Sequence, residues 1–279
     1  MAAGISSLPR SSSPATGLRR GVTVDIGGIP IFLESDDADF RALLEQRYAG
    51  FVNPAAPPAY QFEIRLETPT HSSGEDVRAF RSGSVWRFER GDFRAEWDPR
   101  SRRGWVRQSP NPYSIDSVLR IVHSLVLAEE GGFLVHAASA VRQGRAFVFA
   151  GISGAGKTTM ARLAPPDVAV LSDEISYVRK GRSGYRAYGT PFCGELGRAG
   201  VNLNAPLAAL YFLEKGPGGH IQPLGQPAAA RELLRNILFF AHDRALVKCV
   251  FESAVEFVAR VPVARFTFAP EARAWELVR

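Results

Sequence analysis

Hydrophobic and polar positions alternate most strictly over Tyr60–Leu66, a period of two that predicts a strand with one buried face. Upstream, the apolar runs 22–26 and 29–33 meet at Gly27-Gly28, which predicts a β-hairpin. Phe40, Leu43, Leu44 and Tyr48 recur near helical spacing, so 36–52 is predicted helical, followed by a proline-containing loop at 54–58. Residues 77–108 break into four short pieces (77–81, 85–89, 93–98 and 104–108) punctuated by Ser-Gly, Arg-Gly and Pro-Arg-Ser, the pattern of an antiparallel meander. In 114–130, Ile115, Val118, Leu119, Val122, Leu125 and Val126 fall on one helical stripe with His123 beside it. Ser114 is the expected N-cap, Asp116 lies in the first turn and Gly131-Gly132 stops the helix. From 133 onward the pattern becomes βαβ-like: apolar runs 133–138 and 145–150 around a Gly144 turn, a glycine loop, a helix stopped by Pro165-Pro166, and a strand at 168–171. Further strands are predicted at 185–188, 207–213, 246–250 and 264–268, with a helix over 228–242. There is no internal repeat.

This pattern divides the chain into a tail (1–20), a smaller N-terminal α+β domain, mainly antiparallel β plus a helix (21–110), and an α/β domain (111–279), with the boundary in a Ser-Pro-Asn-Pro stretch. The tail is rich in Ser, Pro and Arg, holds no acid and has no apolar core, so it is expected to be disordered rather than a signal. Hydrophobic content of 46% and charged content of 22% are ordinary for a globular protein. No apolar run approaches 18 residues, which argues against a membrane span. The net charge of +6 suits an anionic ligand. Its arginines are scattered, and Trp86, Trp97 and Trp105 among them read better as one packed sheet face than as base-stacking platforms, so nucleic acid is not expected as a partner. Cys193 and Cys249 show neither metal-ligand spacing nor a disulfide framework, which points to the cytoplasm. The oligomeric state stays open, a homo-oligomer included.

The chemistry concentrates in Gly151-Ile-Ser153-Gly154-Ala155-Gly156-Lys157-Thr158, followed by Thr159, which fits the phosphate-binding loop G-x-x-x-x-G-K-[ST]. It sits between a predicted strand and a predicted helix, the order that the loop requires. Glycines let successive backbone N–H groups face phosphate oxygens, and the helix start adds positive potential. Lys157 would offset charge on the β/γ phosphates of ATP, and the Thr158 hydroxyl would ligate Mg²⁺. The strand at 168–171 ends in Ser172-Asp173-Glu174, and it is expected beside the loop strand with both C-terminal ends at the phosphates. Asp173 is then placed to take an acceptor proton or hold Mg²⁺, with Glu174 assisting.

Leu134-Val-His136-Ala, the Gly-Ile-Ser-Gly-Ala-Gly-Lys-Thr-Thr loop and Leu171-Ser-Asp-Glu174 follow one another as in the HPr kinase/phosphorylase catalytic domain, and the chain resembles that family over about residues 130–250. ATP-dependent phosphoenolpyruvate carboxykinases share that nucleotide-binding core. The resemblance implies a P-loop kinase fold of HPr kinase/carboxykinase type, with Asp173 as base and His136 close to it. Thr190-Pro-Phe-Cys-Gly-Glu195 looks like the loop that follows the acidic strand in these relatives, which would bring Glu195 to the metal with Thr158, Asp173 and Glu174. Arg198, Arg231 or Arg235 would meet the transferred phosphate or an acidic acceptor. The family's downstream Pro-Gly-Arg-Asn motif is replaced by Arg231-Glu-Leu-Leu-Arg235-Asn236, and the N-terminal part is unlike the bifunctional enzyme's. The chain is therefore more similar to the divergent HprK-related kinases of bacterial biosynthetic and peptide-modifying clusters.

The expected function is a Mg-ATP-dependent kinase acting on a hydroxyl, serine foremost, of a protein, peptide or small molecule. The alternatives are a regulatory ATP-binding protein without turnover and a bifunctional kinase/phosphorylase. A decarboxylating carboxykinase would need further basic and metal-binding residues than so short a chain accommodates.

Overall fold

A computed structural model describes residues 20–68 and 76–279, so the predicted tail lies almost wholly outside the described residues. The protein is a mixed α/β structure built on two sheets.

The first sheet has seven strands. The predicted hairpin forms β1 (Gly21–Ile26) and β2 (Ile29–Ser35), and the alternating run forms β3 (Tyr60–Leu66). The meander forms β4 (Arg78–Ser82), β5 (Val85–Arg90), β6 (Phe93–Asp98) and β7 (Arg103–Gln108). The strand order is β1-β2-β3-β7-β6-β5-β4, with β3 parallel to both neighbours. Between β2 and β3 runs α1 (Ala38–Arg47), capped by Asp37, whose side chain accepts from the Phe40 amide at 2.7 Å. This helix is shorter than the periodicity suggested; the chain tightens into a 3₁₀ turn at Ala49–Phe51 that buries Phe51. Trp86 and Trp97 are buried in the sheet's packed face, but Trp105 departs from the expected single face: it lies on the opposite one, half-buried, donating to Glu96 at 3.3 Å with Arg107 over its ring.

Helix α2 (Pro112–Glu130) joins the two sheets. Its cap is Asn111 rather than Ser114: Asn111 accepts from the amides of Tyr113 and Ser114, and Pro112 occupies the first turn, where its missing N–H costs nothing. Ser114 is buried and donates instead to Asp92 at 2.7 Å, and Asp116 is buried rather than in the capping turn. The burial extends well beyond one stripe, from Ser114 to Ala128, because α2 packs on both sheets. One apolar cluster accordingly runs from the first sheet through α2 to Tyr177, Phe192 and Val250.

The second sheet is centred on β8 (Phe133–Arg142). The first half of β8 pairs antiparallel with β11 (Ile175–Gly181) and its second half with β9 (Arg145–Ala150) and β10 (Val168–Ser172). Gln143 and Gly144, both with positive φ, make the tight β8–β9 turn. Strand β11 continues through a hairpin into β12 (Gly184–Tyr188), then β13 (Asn204–Lys215), which lies parallel to β9. Strands β14 (His220–Pro223) and β16 (Val263–Phe268) complete the edge, and β13 and β16 are parallel.

Four expectations need correction. The loop strand β9 and the acidic strand β10 are not neighbours, since β8 runs between them; both are antiparallel to β8, so their C-terminal ends still emerge on the same side. Strands β11 and β14 were not anticipated, as Arg179-Lys180 and His220-Ile-Gln-Pro223 dilute their apolar signal. The predicted helix at 228–242 is α4 (Gln226–Asn236), cut short where β15 (Ile237–Leu238) pairs with β8. Residues 246–250 are not a strand but part of α5 (Arg244–Arg260). Asp243 caps α5 by accepting from the Leu246 amide at 3.0 Å, and Leu246, Val250, Ala254, Phe257 and Val258 are its buried stripe. A short apolar run fits either element, and the spacing out to Val258 decides for helix.

Candidate functional site

The C-terminal ends of β9, β10, β13 and β16 gather at one edge of the second sheet, where open α/β sheets hold their ligands. The glycine loop leaves β9 at Ala150 and enters α3 (Lys157–Arg162). Gly151, Gly154 and Gly156 all have positive φ, at 153°, 78° and 109°. A Cβ on Gly156 would lie 2.7 Å from the Phe268 ring, so glycine is required there by packing as well as by conformation. Helix α3 is less than two turns long, so the loop's own N–H groups, more than the helix dipole, must provide the anion-binding potential.

Loop and acidic strand face a common cavity of about 360 Å³, lined by Ser153, Gly154, Gly156, Lys157, Thr158, Thr159, His136, Asp173, Glu174, Gly194, Glu195 and Lys215. Of the loop residues singled out in the sequence, Gly151 and Ala155 lie beneath it: both are buried, and a Cβ on Gly151 would approach the Ala155 methyl.

The Lys157 side chain is buried and folds back over the loop, donating to the carbonyls of Gly151 at 2.9 Å and Ile152 at 3.1 Å. Burial holds its ammonium below the usual lysine range, against the opposing pull of Glu174 and Glu195. His136 stands on β8 opposite Ile175, at the point where β8 passes from β11 to β9 and β10. Burial, then the Lys157 charge, keep this imidazole below its ordinary value and so neutral at pH 7.

Asp173 is buried, and both its oxygens accept backbone bonds from the 189–201 segment: Gly194 N–H at 3.0 Å and Leu196 N–H at 2.9 Å. Each oxygen retains further acceptor capacity. The segment approaches so closely that a Cβ on Gly194 would fall 2.7 Å from the Asp173 carboxylate. Gly189 and Gly200 are packed tighter still, with a Cβ only 1.9 Å from the Val201 carbonyl and 1.7 Å from the Leu171 carbonyl. Burial raises the neighbouring Glu174 carboxyl above the usual range; Arg120 and Lys157 pull it down, while Asp173 and Asp116 push it further up.

Among the described residues, no three His, Cys, Asp or Glu side chains converge as a metal site. The expected set of Thr158, Asp173, Glu174 and Glu195 shares the cavity but forms no cage of its own. A hydroxyl with one or two carboxylates does fit Mg²⁺ that arrives with its phosphates, since that ion keeps most of its coordination for phosphate and water.

Sequence reasoning missed a second layer behind Glu174. Asp116 on α2 accepts from the Tyr48 hydroxyl at 2.6 Å and from Arg47. Arg47 also reaches the Cys193 sulfur at 3.0 Å, and Arg120 stacks 4.9 Å from the Phe192 ring centroid. No local motif marks these residues, because three separate segments contribute them. Lys215 was also missed, although a lysine ending an apolar strand parallel to the loop strand is a readable signal. Of the arginines proposed to meet phosphate, Arg198 lines an adjoining cavity. Arg235 pairs with Glu232 on α4 at 3.3 Å, and neither Arg231 nor Arg235 lines the cavity.

No helix among the described residues is long and apolar enough to cross a membrane. No curated protein matches the chain. The family model described as SynChlorMet cassette protein ScmC matches residues 111–279, the stretch from α2 to the C-terminus that carries the whole of this cavity. With most of its length matched, the chain belongs to the ScmC family.

Proposed function

We propose that this protein is a kinase of the P-loop type related to HPr kinase, transferring the γ-phosphoryl group of Mg-ATP to a hydroxyl, serine foremost. One observation carries the reading: a glycine loop with a buried lysine, a threonine hydroxyl and an acidic pair open onto a single cavity of about 360 Å³.

The loop's N–H groups receive the phosphate oxygens, and Lys157 leaves its two carbonyl partners to lie against the β/γ phosphates. Nucleotide charge adds to the pull of Glu174 and Glu195 on Lys157, which favours the ammonium form. Thr158 and Glu174, with Glu195, are the residues that would hold Mg²⁺. When bound, Mg²⁺ neutralises charge on the transferring phosphoryl group. Asp173, fixed by two amides, accepts the proton of the acceptor hydroxyl. The hydroxyl oxygen bonds to the γ phosphorus, the bond from that phosphorus to the β,γ-bridging oxygen breaks, and ADP departs. Neutral His136 adds no charge to the cavity that it shares with Asp173.

The test is label transfer from γ-labelled ATP to serine-containing acceptors, comparing wild type with Asp173→Asn. The variant should retain nucleotide binding and lose transfer; intact transfer in it would sink the mechanism.

A second reading, an ATP-occupied switch without transfer, draws on the Arg47–Cys193 bond. That contact ties α1 of the first sheet to the segment that holds Asp173 and Glu195, so nucleotide occupancy would be felt in the first sheet.

A further inference from the structure

We propose that the cavity on the other side of Asp173, between the end of α3 and residues 196–201, is the acceptor site, and that it takes a hydroxyl compound bearing an anionic group close to that hydroxyl. The inference rests on the kinase reading and deepens it.

A general base in phosphoryl transfer must touch the acceptor hydroxyl while the γ-phosphate lies within the same reach. Its carboxylate therefore has to border two spaces. Asp173 does so: it is the residue common to the loop cavity and to a second cavity of about 330 Å³. The second cavity has apolar walls at Pro165, Pro166, Val168 and Val170, with Arg162 and Arg198 along its lining. Its outer wall is seated against β10, where Gly200 leaves no room for a side chain and Val201 N–H donates to the Val170 carbonyl at 3.0 Å.

The two guanidinium groups determine the class of ligand. Arg162 ends α3 and Arg198 follows the amides that hold Asp173, and both are exposed. Neither pairs with a carboxylate among the described residues. The acid nearest in sequence to Arg162, Asp167, is taken by Arg142 at 2.9 Å. Asp173 itself is bound to backbone amides rather than to either arginine. A cavity edged by two cations without counter-ions, beside an aligned base, fits an anion that positions a hydroxyl. Guanidinium forks recognise carboxylate or phosphate in that way. The volume suits a small molecule or one side chain with its flanking residues. Two sources supply the same chemistry: a free hydroxy acid, or a serine flanked by acidic residues in a peptide.

The experiment is ligand-observed NMR on the full chain, with and without Mg²⁺ and a non-hydrolysable ATP analogue. D-glycerate and the capped peptide Glu-Ser-Glu are the anionic probes; glycerol and capped Ala-Ser-Ala are their neutral counterparts. At least one anionic probe should bind about tenfold or more tightly than its counterpart. The Arg162→Gln/Arg198→Gln double variant, altered only at exposed side chains, should lose that preference while keeping nucleotide affinity. Lys157→Ala should do the reverse, losing the nucleotide and keeping the probe. Glycerate binding alone identifies a free hydroxy acid, and peptide binding alone an acidic serine segment. Equal binding of charged and neutral probes, no binding of either anion, or a double variant indistinguishable from wild type would overturn the acceptor site. Absence of nucleotide binding in the wild type would instead bring down the kinase reading, and the probe arm would still report whether the cavity holds an anion.

Discussion

The glycine loop and the acidic strand end open onto the same cavity, but they are held there differently. The loop is held by its own chain: Lys157 bonds carbonyls five and six residues back, and a Cβ on Gly154 would meet nothing within 4 Å. Asp173 is held by residues more than twenty positions away, through Gly194 and Leu196, in a segment that Gly189 and Gly200 lock against Val201 and Leu171. The exposed part of the first half, around Gly154, can therefore be altered with little effect on the fold, although Gly156 beneath it packs on Phe268, whereas the second half joins function and folding in the same contacts. The comparison is sharpened by substitutions that separate the two halves.

The largest effect is expected at Asp173. Asp173→Asn keeps the shape and the amide acceptors in part, so it should leave ATP binding near wild type while reducing transfer about 10²–10⁴-fold. Steady-state transfer rates beside calorimetric ATP affinity would read this; equal losses of both would mean that the two halves are not separable.

Gly200→Ala should cost about 3 kcal/mol or more, since its Cβ would sit 1.7 Å from the Leu171 carbonyl, and backbone on both sides must move. Denaturant unfolding would measure it. A change under about 1 kcal/mol would show the acidic half to be as tolerant as the loop.

Acid should also act on the acidic half. Strand β11, which continues from Glu174, is anchored to α2 through Tyr177, whose hydroxyl lies 3.1 Å from His123 Nδ1. Complete burial, with a smaller push from Arg179, lowers His123 to about 3. The unfolded chain takes up a proton near pH 6.5 that the folded chain refuses, so stability is full above that pH and falls as pH drops toward 3. By pH 4 the loss from this group is about 3 kcal/mol. His123→Gln, which can still bond Tyr177, should flatten the unfolding free energy between pH 6.5 and 4. An unchanged slope would assign the acid sensitivity to other groups.

The smallest effect belongs to the loop. Gly154→Ala meets open space and pays only for a positive φ, about 1 kcal/mol. Thermal unfolding should barely move while nucleotide affinity falls; a large destabilisation would contradict the picture of a self-contained loop.

The same contrast explains what could be read from sequence. The loop motif, the strand and helix flanking it and the alternating strand β3 are local signals, and the structure forms those elements where the pattern predicts them. Asp173 and Glu174 were legible because they end a short apolar strand, although the place of β8 between that strand and the loop strand was not foreseen. Pairing order depends on residues distant in sequence, and no local pattern encodes it. The cap at Asn111 was missed because Ser114 satisfies the same rule three residues later and only the buried Asp92 decides between them. Leu246 and Val250 looked like a strand because two turns of a helix and a short strand can show the same few apolar residues. The Arg47–Asp116–Tyr48 cluster was illegible for a different reason: its members are unremarkable singly, and their pairing exists only once α1 and α2 are packed together.

The central claim is that the loop binds the phosphates of ATP. Titrating ATP into the wild-type chain and into Lys157→Ala by calorimetry, each with and without Mg²⁺, tests it most directly. The account predicts magnesium-dependent binding by the wild type and its loss in the variant, with both chains folded. A well-folded wild type that binds no ATP, or a Lys157→Ala chain that binds it equally well, would contradict the claim.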